Sequence, residues 1–256
     1  MNKYELALET KRFFDGIELY RIRALRSFSD VTEGTLGGYI QQESNLSQEG
    51  DCWIYGDAQV CGNARVFGGA QVFGDAQVYG NARVYGYARV CDNARVSSYA
   101  RVCDNARVFG DAQVCGNAQV FGDARVFGDA QVCGNARVFG DAQVFGDAQV
   151  CGNARVFGNA RVSDRARVSG NAIVSGDAWV FGNARVCGNA RVYGYARVCD
   201  NARVSSYARV CDNARVFGDA QVCGNAQVFG DAAIYYPITE LTCILFNIET
   251  CIAYGQ

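Results

Sequence analysis

Every sixth residue from Ile54 to Ile234 is Val or Ile, with no insertion or deletion, and Ala stands two places before it in every unit from Ala58 to Ala232. A helix turns about 100° per residue, so six steps rotate the chain by about 240° and would send Val60, Val66 and Val72 to three different sides. In a strand, residues two apart share a face, as Ala64 and Val66 do across Arg65. The unit V-x-G-[DN]-A-[RQ], as in Val60-Cys61-Gly62-Asn63-Ala64-Arg65 and Val72-Phe73-Gly74-Asp75-Ala76-Gln77, therefore reads as a short strand and a corner. The recurrent Gly would cost a helix about 1 kcal/mol each time. At a corner it supplies backbone angles that other residues resist, with Asp or Asn the next most tolerant.

A strand this short cannot bury its apolar face alone. Units wound into a solenoid bury a continuous Ala/Val column and pair their backbones with the coils on either side. Proline would interrupt that pairing, and none occurs before Pro237. The period, the inward aliphatic residue and the small residue two places before it resemble the hexapeptide repeat of left-handed parallel β-helix proteins. That resemblance covers 181 of 256 positions and implies an all-β, single-stranded, left-handed parallel β-helix with three hexads per coil. In one respect the chain departs from that pattern. The family often has its small residue directly after the aliphatic, where this chain has Phe, Tyr, Cys or Ser, with Gly one place later. A right-handed three-sided β-helix, as in bactofilin-like polymer-forming proteins, is the alternative. At three hexads per coil the repeat makes about ten coils, with strands about 4.8 Å apart in a rod about 50 Å long. Residues 80–124 recur identically at 188–232, an offset of 108, or six whole coils.

Three segments are expected: an N-terminal cap over 1–53, the β-helix over 54–234, and a C-terminal cap strand over 235–256. The opening segment lacks the hexad, mixes charges and carries short apolar stretches such as Ile17-Glu18-Leu19-Tyr20-Arg21-Ile22. With Gly37-Gly38-Tyr39-Ile40 and Glu49-Gly50-Asp51-Cys52-Trp53 it is similar to the start of uncharacterised bacterial and phage-encoded hexapeptide-repeat proteins. A solenoid end exposes unpaired backbone and core, so both flanking segments read as covers.

The start, Met-Asn-Lys-Tyr-Glu-Leu, has no apolar run of signal-peptide length, and no stretch is long enough to span a membrane, so a cytoplasmic protein is expected. Its 13 Cys then read as thiols. The repeat holds 18 Arg and 15 Asp without Lys or Glu. Asp units usually carry Gln and Asn units usually carry Arg, which interleaves the signs along the chain. A nucleic-acid binder would favour a one-signed stripe, so neither nucleic acid nor membrane is expected as a partner.

Histidine is absent. Acyltransferases of the hexapeptide family generally depend on a His base, and carbonic anhydrases of the same fold hold zinc with His, so neither chemistry carries over to a residue here. Those acyltransferases also commonly grow a loop from the coil to form the acceptor pocket, and the unbroken frame leaves no room for one. No catalytic residue, cofactor or metal ligand is assigned. The expected function is a non-catalytic structural or interaction scaffold that binds a protein partner or self-associates through its faces or ends. The alternative is an acyltransferase-like enzyme using an Asp, Cys or Tyr base.

Ten Cys follow a Val, and Cys115, Cys133 and Cys151 would share one edge as small apolar fillers, with a soft-metal thiolate ladder as the competing reading. Phe109-Phe127-Phe145 and Phe121-Phe139-Phe157 would stack, or offer an apolar face. Arg65-Arg83-Arg101 could hold a polyanion, against the reading of a solvated surface paired locally with Asp and Asn. Repeats without Thr do not suit ice binding. Five residues depart from the frame and form the candidate contact patch: Arg165 replaces a corner Asp or Asn, Ile173 and Trp179 stand where Arg or Gln is the rule, and Arg161 and Arg197 would flank Trp179 for cation–π stacking. Ser163, Ser169 and Ser175 strip the same coil of its aromatic and Cys edge.

Overall fold

A computed structural model describes residues 2–13 and 16–235. The expected C-terminal cap lies, beyond Tyr235, outside the described residues. The chain is all-β, with a short 3-10 turn at Glu43–Asn45. Two compact units divide it, Met1–Asp123 and Ala124–Gln256.

Both units obey the same local rule. Each hexad contributes a two-residue strand, Arg or Gln followed by Val in almost every case, and then a four-residue corner. Each strand pairs in parallel with the strand 18 residues away, as in Arg65↔Arg83 and Val66↔Val84, so three hexads make one turn of a parallel β-solenoid. Alternation does the rest. The Ala before the strand and the Val within it are buried throughout the repeat, while the residue between them faces outward. Backbone groups are satisfied between turns rather than within strands: Arg65 N–H donates to Ala82 O at 2.9 Å and Phe67 N–H to Val84 O at 3.1 Å. Burying one Val contributes about 1.5–3 kcal/mol, and a column of them compensates for strands too short to be stable singly.

The corner turns through the left-handed region at the residue two after Val. Gly152, at φ 69°, is typical, and a Cβ there would meet the backbone N and O of Gly170 at 3.0 Å. Where Gly is missing, Asp or Ser takes the same angle, as at Asp92, Asp164, Asp200 and Ser206. The Asp side chain then accepts the N–H of the Gly one turn on, Gly182 to Asp164 Oδ2 at 3.0 Å and Gly218 to Asp200 Oδ2 at 3.0 Å, which offsets part of the backbone strain.

In the first unit, β1 (Tyr4–Arg12), β2 (Glu18–Ala24) and β3 (Leu36–Ile40) form an antiparallel meander. β3 then pairs in parallel with Gln59–Val60 and so joins one solenoid sheet. Tyr4 and Phe28 pack edge-on against buried Trp53, with ring centroids 6.2 and 5.4 Å away. In the second unit, three sheets are named here for a central residue. The Val162 sheet runs from Arg125–Val126 to Ala233–Ile234, the Val150 sheet from Gln131–Val132 to Gln221–Val222, and the Val156 sheet from Arg137–Val138 to Gln227–Val228. The chain visits them in that order on every turn.

Candidate functional site

The five patch residues fall on different parts of the second unit. Arg161, Trp179 and Arg197 are in-register neighbours on the Val162 sheet. Ile173 sits on the Val156 sheet between Arg155 and Arg191. Arg165 occupies the corner between the Val162 and Val150 sheets, its Nε 3.8 Å from Asp147 Oδ2, an exposed pair worth at most about 1 kcal/mol. A shallow hollow beside it is lined by Asp147, Asp164, Arg165 and Asn183.

Trp179 is not sandwiched by its two arginines. Its indole Nε1 donates to Ser163 Oγ at 3.0 Å, and its ring lies 4.4 Å from that of Phe181 at 34°. Among the described residues, the cation–π contacts are made instead by Lys3, Lys11, Arg21 and Arg26 in the N-terminal segment. The expected stacking fails because a side-chain hydrogen bond fixes the indole toward the corner. Ser163 is buried at 1% exposure, in a slot that Phe or Cys usually fills. A small hydroxylated residue there leaves space for the indole and accepts a hydrogen bond from its N–H, so the two departures from the repeat form one device.

The other ladders are resolved unit by unit. Phe127–Phe145 and Phe139–Phe157 stack at 4.9 and 4.8 Å, within 8° of parallel. Arg65, Arg83 and Arg101 are in register. The described cysteines are thiols rather than disulfides, and burial pushes Cys61 up to about 11. No group of three or more Cys, Asp or Glu among the described residues comes together as a metal-ligand set.

The expectation of a surface paired locally with Asp does not hold. Among the described residues, Arg165 is the only repeat arginine in an ion pair. Several carboxylates are occupied elsewhere, accepting a Gly N–H or a neighbouring Asn amide, as Asp177 does from Asn159 at 2.9 Å. The signs that alternate along the chain are also sorted in space. In the second unit every Asp lies at one of two corners, Val162-to-Val150 or Val156-to-Val162. The Val150-to-Val156 corner reads Cys-Gly-Asn-Ala at 133–136, 151–154, 187–190 and 223–226, Ser-Gly-Asn-Ala at 169–172 and Ser-Ser-Tyr-Ala at 205–208. It carries no charge. Asn135, Asn153, Asn171 and Asn189 form a ladder along it, each Nδ2 donating to the next Oδ1 at 3.0, 3.0 and 3.1 Å. Hexad-by-hexad reading could not see this, because the sorting appears only when positions are grouped by 18.

A second cluster carries no sequence signal. Lys3 is fully buried, and its Nζ donates to the carbonyls of Cys52, Gly50 and Glu49 at 2.9, 3.3 and 3.4 Å, with Cys52 Sγ at 3.2 Å. Burial lowers the Lys3 pKa and raises that of Cys52. The ammonium ties the start of β1 to a turn rich in carbonyl oxygens, a fastening role that its saturated donors explain fully. Nearby, a hollow of about 510 Å³ is lined by residues that include Glu43, Ser44, Gln48, Arg65, Phe67 and Arg83.

No helix among the described residues is long and apolar enough to cross a membrane. Comparison with known proteins matches the YdcK β-solenoid repeat over 58–74, 76–90, 100–116, 118–146, 148–182, 184–197 and 208–224. A curated relative, the uncharacterized acetyltransferase YdcK of Escherichia coli (strain K12), is 45% identical over 62 residues, which span 22% of this chain and 19% of that protein. The family matches together cover more than half of the sequence, and the chain belongs to the family of YdcK β-solenoid repeat proteins.

Proposed function

We propose that this protein is a non-catalytic interaction scaffold of the cytoplasm, its coil left-handed as the hexapeptide resemblance implies and its flanking segments acting as covers. The observation that carries the reading is the uniformity of the corners. Within each unit every hexad spends its non-strand residues on one tight turn, so no loop leaves the coil to shape an acceptor pocket. The outward residues form ordered ladders, which suits repetitive contact with a partner or a second copy better than the enclosure of a small substrate. The five residues Arg161, Arg165, Ile173, Trp179 and Arg197 are the proposed protein-contact patch, with Trp179 as its anchor. Trp179→Ala should abolish capture of a partner that the full chain retains.

A second reading, an acyltransferase-like enzyme with a non-histidine site, is favoured by the name that relative carries, an uncharacterized acetyltransferase. The hollow at Arg65 and Arg83 offers guanidiniums for a nucleotide phosphate. Calorimetric titration with acetyl-CoA, followed by an acetyl-transfer assay on amine acceptors, separates the two. The scaffold reading expects neither binding nor transfer. Micromolar affinity with turnover would replace it by the enzyme reading.

A further inference from the structure

The uncharged corner of the second unit is flanked on both sides by arginine. The Val150 sheet places Arg167, Arg185 and Arg203 in consecutive register along one side. The Val156 sheet places Arg137 beside Arg155 and Arg191 beside Arg209 along the other. All seven are exposed. Like charges directly opposite one another on neighbouring strands destabilise a sheet, and strands about 4.8 Å apart hold these guanidiniums close. Gln is accepted in the same slot at Gln131, Gln149 and Gln227, so the fold does not require the charge. None of the seven has an ion-pair partner among the described residues.

What lies between the two arginine columns is matched to the same ligand chemistry. Each Asn amide has two N–H groups. In Asn153 and Asn171 one of them continues the ladder and each Oδ1 accepts from the preceding rung, which leaves the second N–H for an outside acceptor. The strip therefore offers donors from guanidinium and carboxamide, with no carboxylate to repel an anion. It also lacks what bases and sugar rings use. Single-stranded nucleic acids need aromatic platforms for stacking, and the corner carries Cys, Ser, Gly and Asn, with Tyr207 its one aromatic ring among the described residues.

We propose that this strip binds inorganic polyphosphate, a flexible linear polyanion with acceptor oxygens at every unit and no bases or rings. Bidentate contacts from Arg fit its tetrahedral phosphates, and a flexible chain can follow columns whose spacing the β-solenoid sets. The inference rests on the scaffold reading and names its ligand class.

The test uses the full chain with long-chain polyphosphate, polygalacturonate and poly(dT), followed by titration at several salt concentrations. Arg155→Gln/Arg185→Gln removes one charge from each side of the strip. Arg125→Gln/Arg215→Gln removes the same charge from the Val162 sheet, whose bordering corners hold Asp. Circular dichroism should be unchanged for both pairs. Polyphosphate should bind the parent chain, bind the strip variant at least tenfold more weakly with a shallower salt dependence, and bind the control within threefold of the parent. Absence of polyphosphate binding, equal losses in both pairs, or tighter binding of poly(dT) or polygalacturonate would overturn the proposal. Acetyl transfer by the protein would refute the scaffold reading without touching this binding result, and loss of the binding result would leave the scaffold reading intact.

Discussion

Placing a carboxylate in the Val column measures how dry that column is. Val150 is fully buried and lies in register between Val132 and Val168. In Val150→Asp the new side chain has no cationic partner inside, so at pH 7 it folds as the neutral acid. Protonating a group with an ordinary pKa near 3.9 at pH 7 costs about 4 kcal/mol, from about 1.4 kcal/mol per pH unit. Loss of Val burial adds about 1.5–3 kcal/mol. The total, roughly 6 kcal/mol, rivals the whole stability of an ordinary domain. Gln149→Glu introduces the same charge one residue away on a half-exposed side chain and should cost under about 0.5 kcal/mol. Urea denaturation followed by far-ultraviolet dichroism at pH 7 should separate the two variants widely. The Val150→Asp deficit should also shrink as pH falls toward 4, because the unfolded carboxyl then becomes neutral as well. Equal costs for the two variants, or a Val150→Asp deficit that does not change with pH, would refute the assignment of inside and outside.

Three further outcomes follow from local geometry. Ser163→Ala removes the acceptor of the Trp179 indole and should cost about 1 kcal/mol, with a red shift of Trp179 emission measured in a Trp53→Phe background. Asp200, at φ 58°, also accepts the Gly218 N–H; Asp200→Ala should cost about 1–2 kcal/mol and Asp200→Gly clearly less, by urea denaturation, because Gly tolerates the backbone angle. Cys61 keeps its proton in the fold up to about 11, whereas an unfolded thiol ionises near ~8.5. Its contribution is thus fully present below the unfolded value and lost as pH rises through that window, and Cys61→Ala should flatten the alkaline decline in melting temperature.

The period alone made the coil legible, because Val at every sixth position has no helical solution and Ala two places earlier fixes which face is buried. Grouping by 18 also placed Arg161, Trp179 and Arg197 side by side correctly. What could not be read was the direction of side chains. The Trp179 indole turns to Ser163 because a hydroxyl outcompetes two solvated guanidiniums, and hexad spacing does not encode that competition. Lys3 was hidden for a different reason: its partners are backbone carbonyls of a turn, which have no residue signature. The acid-free corner was present in the sequence but masked by the shorter, more conspicuous alternation of Asp and Asn units.

That corner also bears on how such a gene changes length. Near-identical stretches of coding sequence misalign readily during replication and recombination, and here any slip by a multiple of six residues preserves the Ala and Val columns. Only slips by a multiple of 18 return Asn, Cys and Arg to the edges they came from. A six- or twelve-residue slip would fold yet deliver Asp into the uncharged corner and break the Asn ladder. The duplicated block, 80–124 and 188–232, is offset by 108 residues, a whole number of turns. For inheritance the indivisible unit is therefore the turn, even though the folding code repeats three times as often.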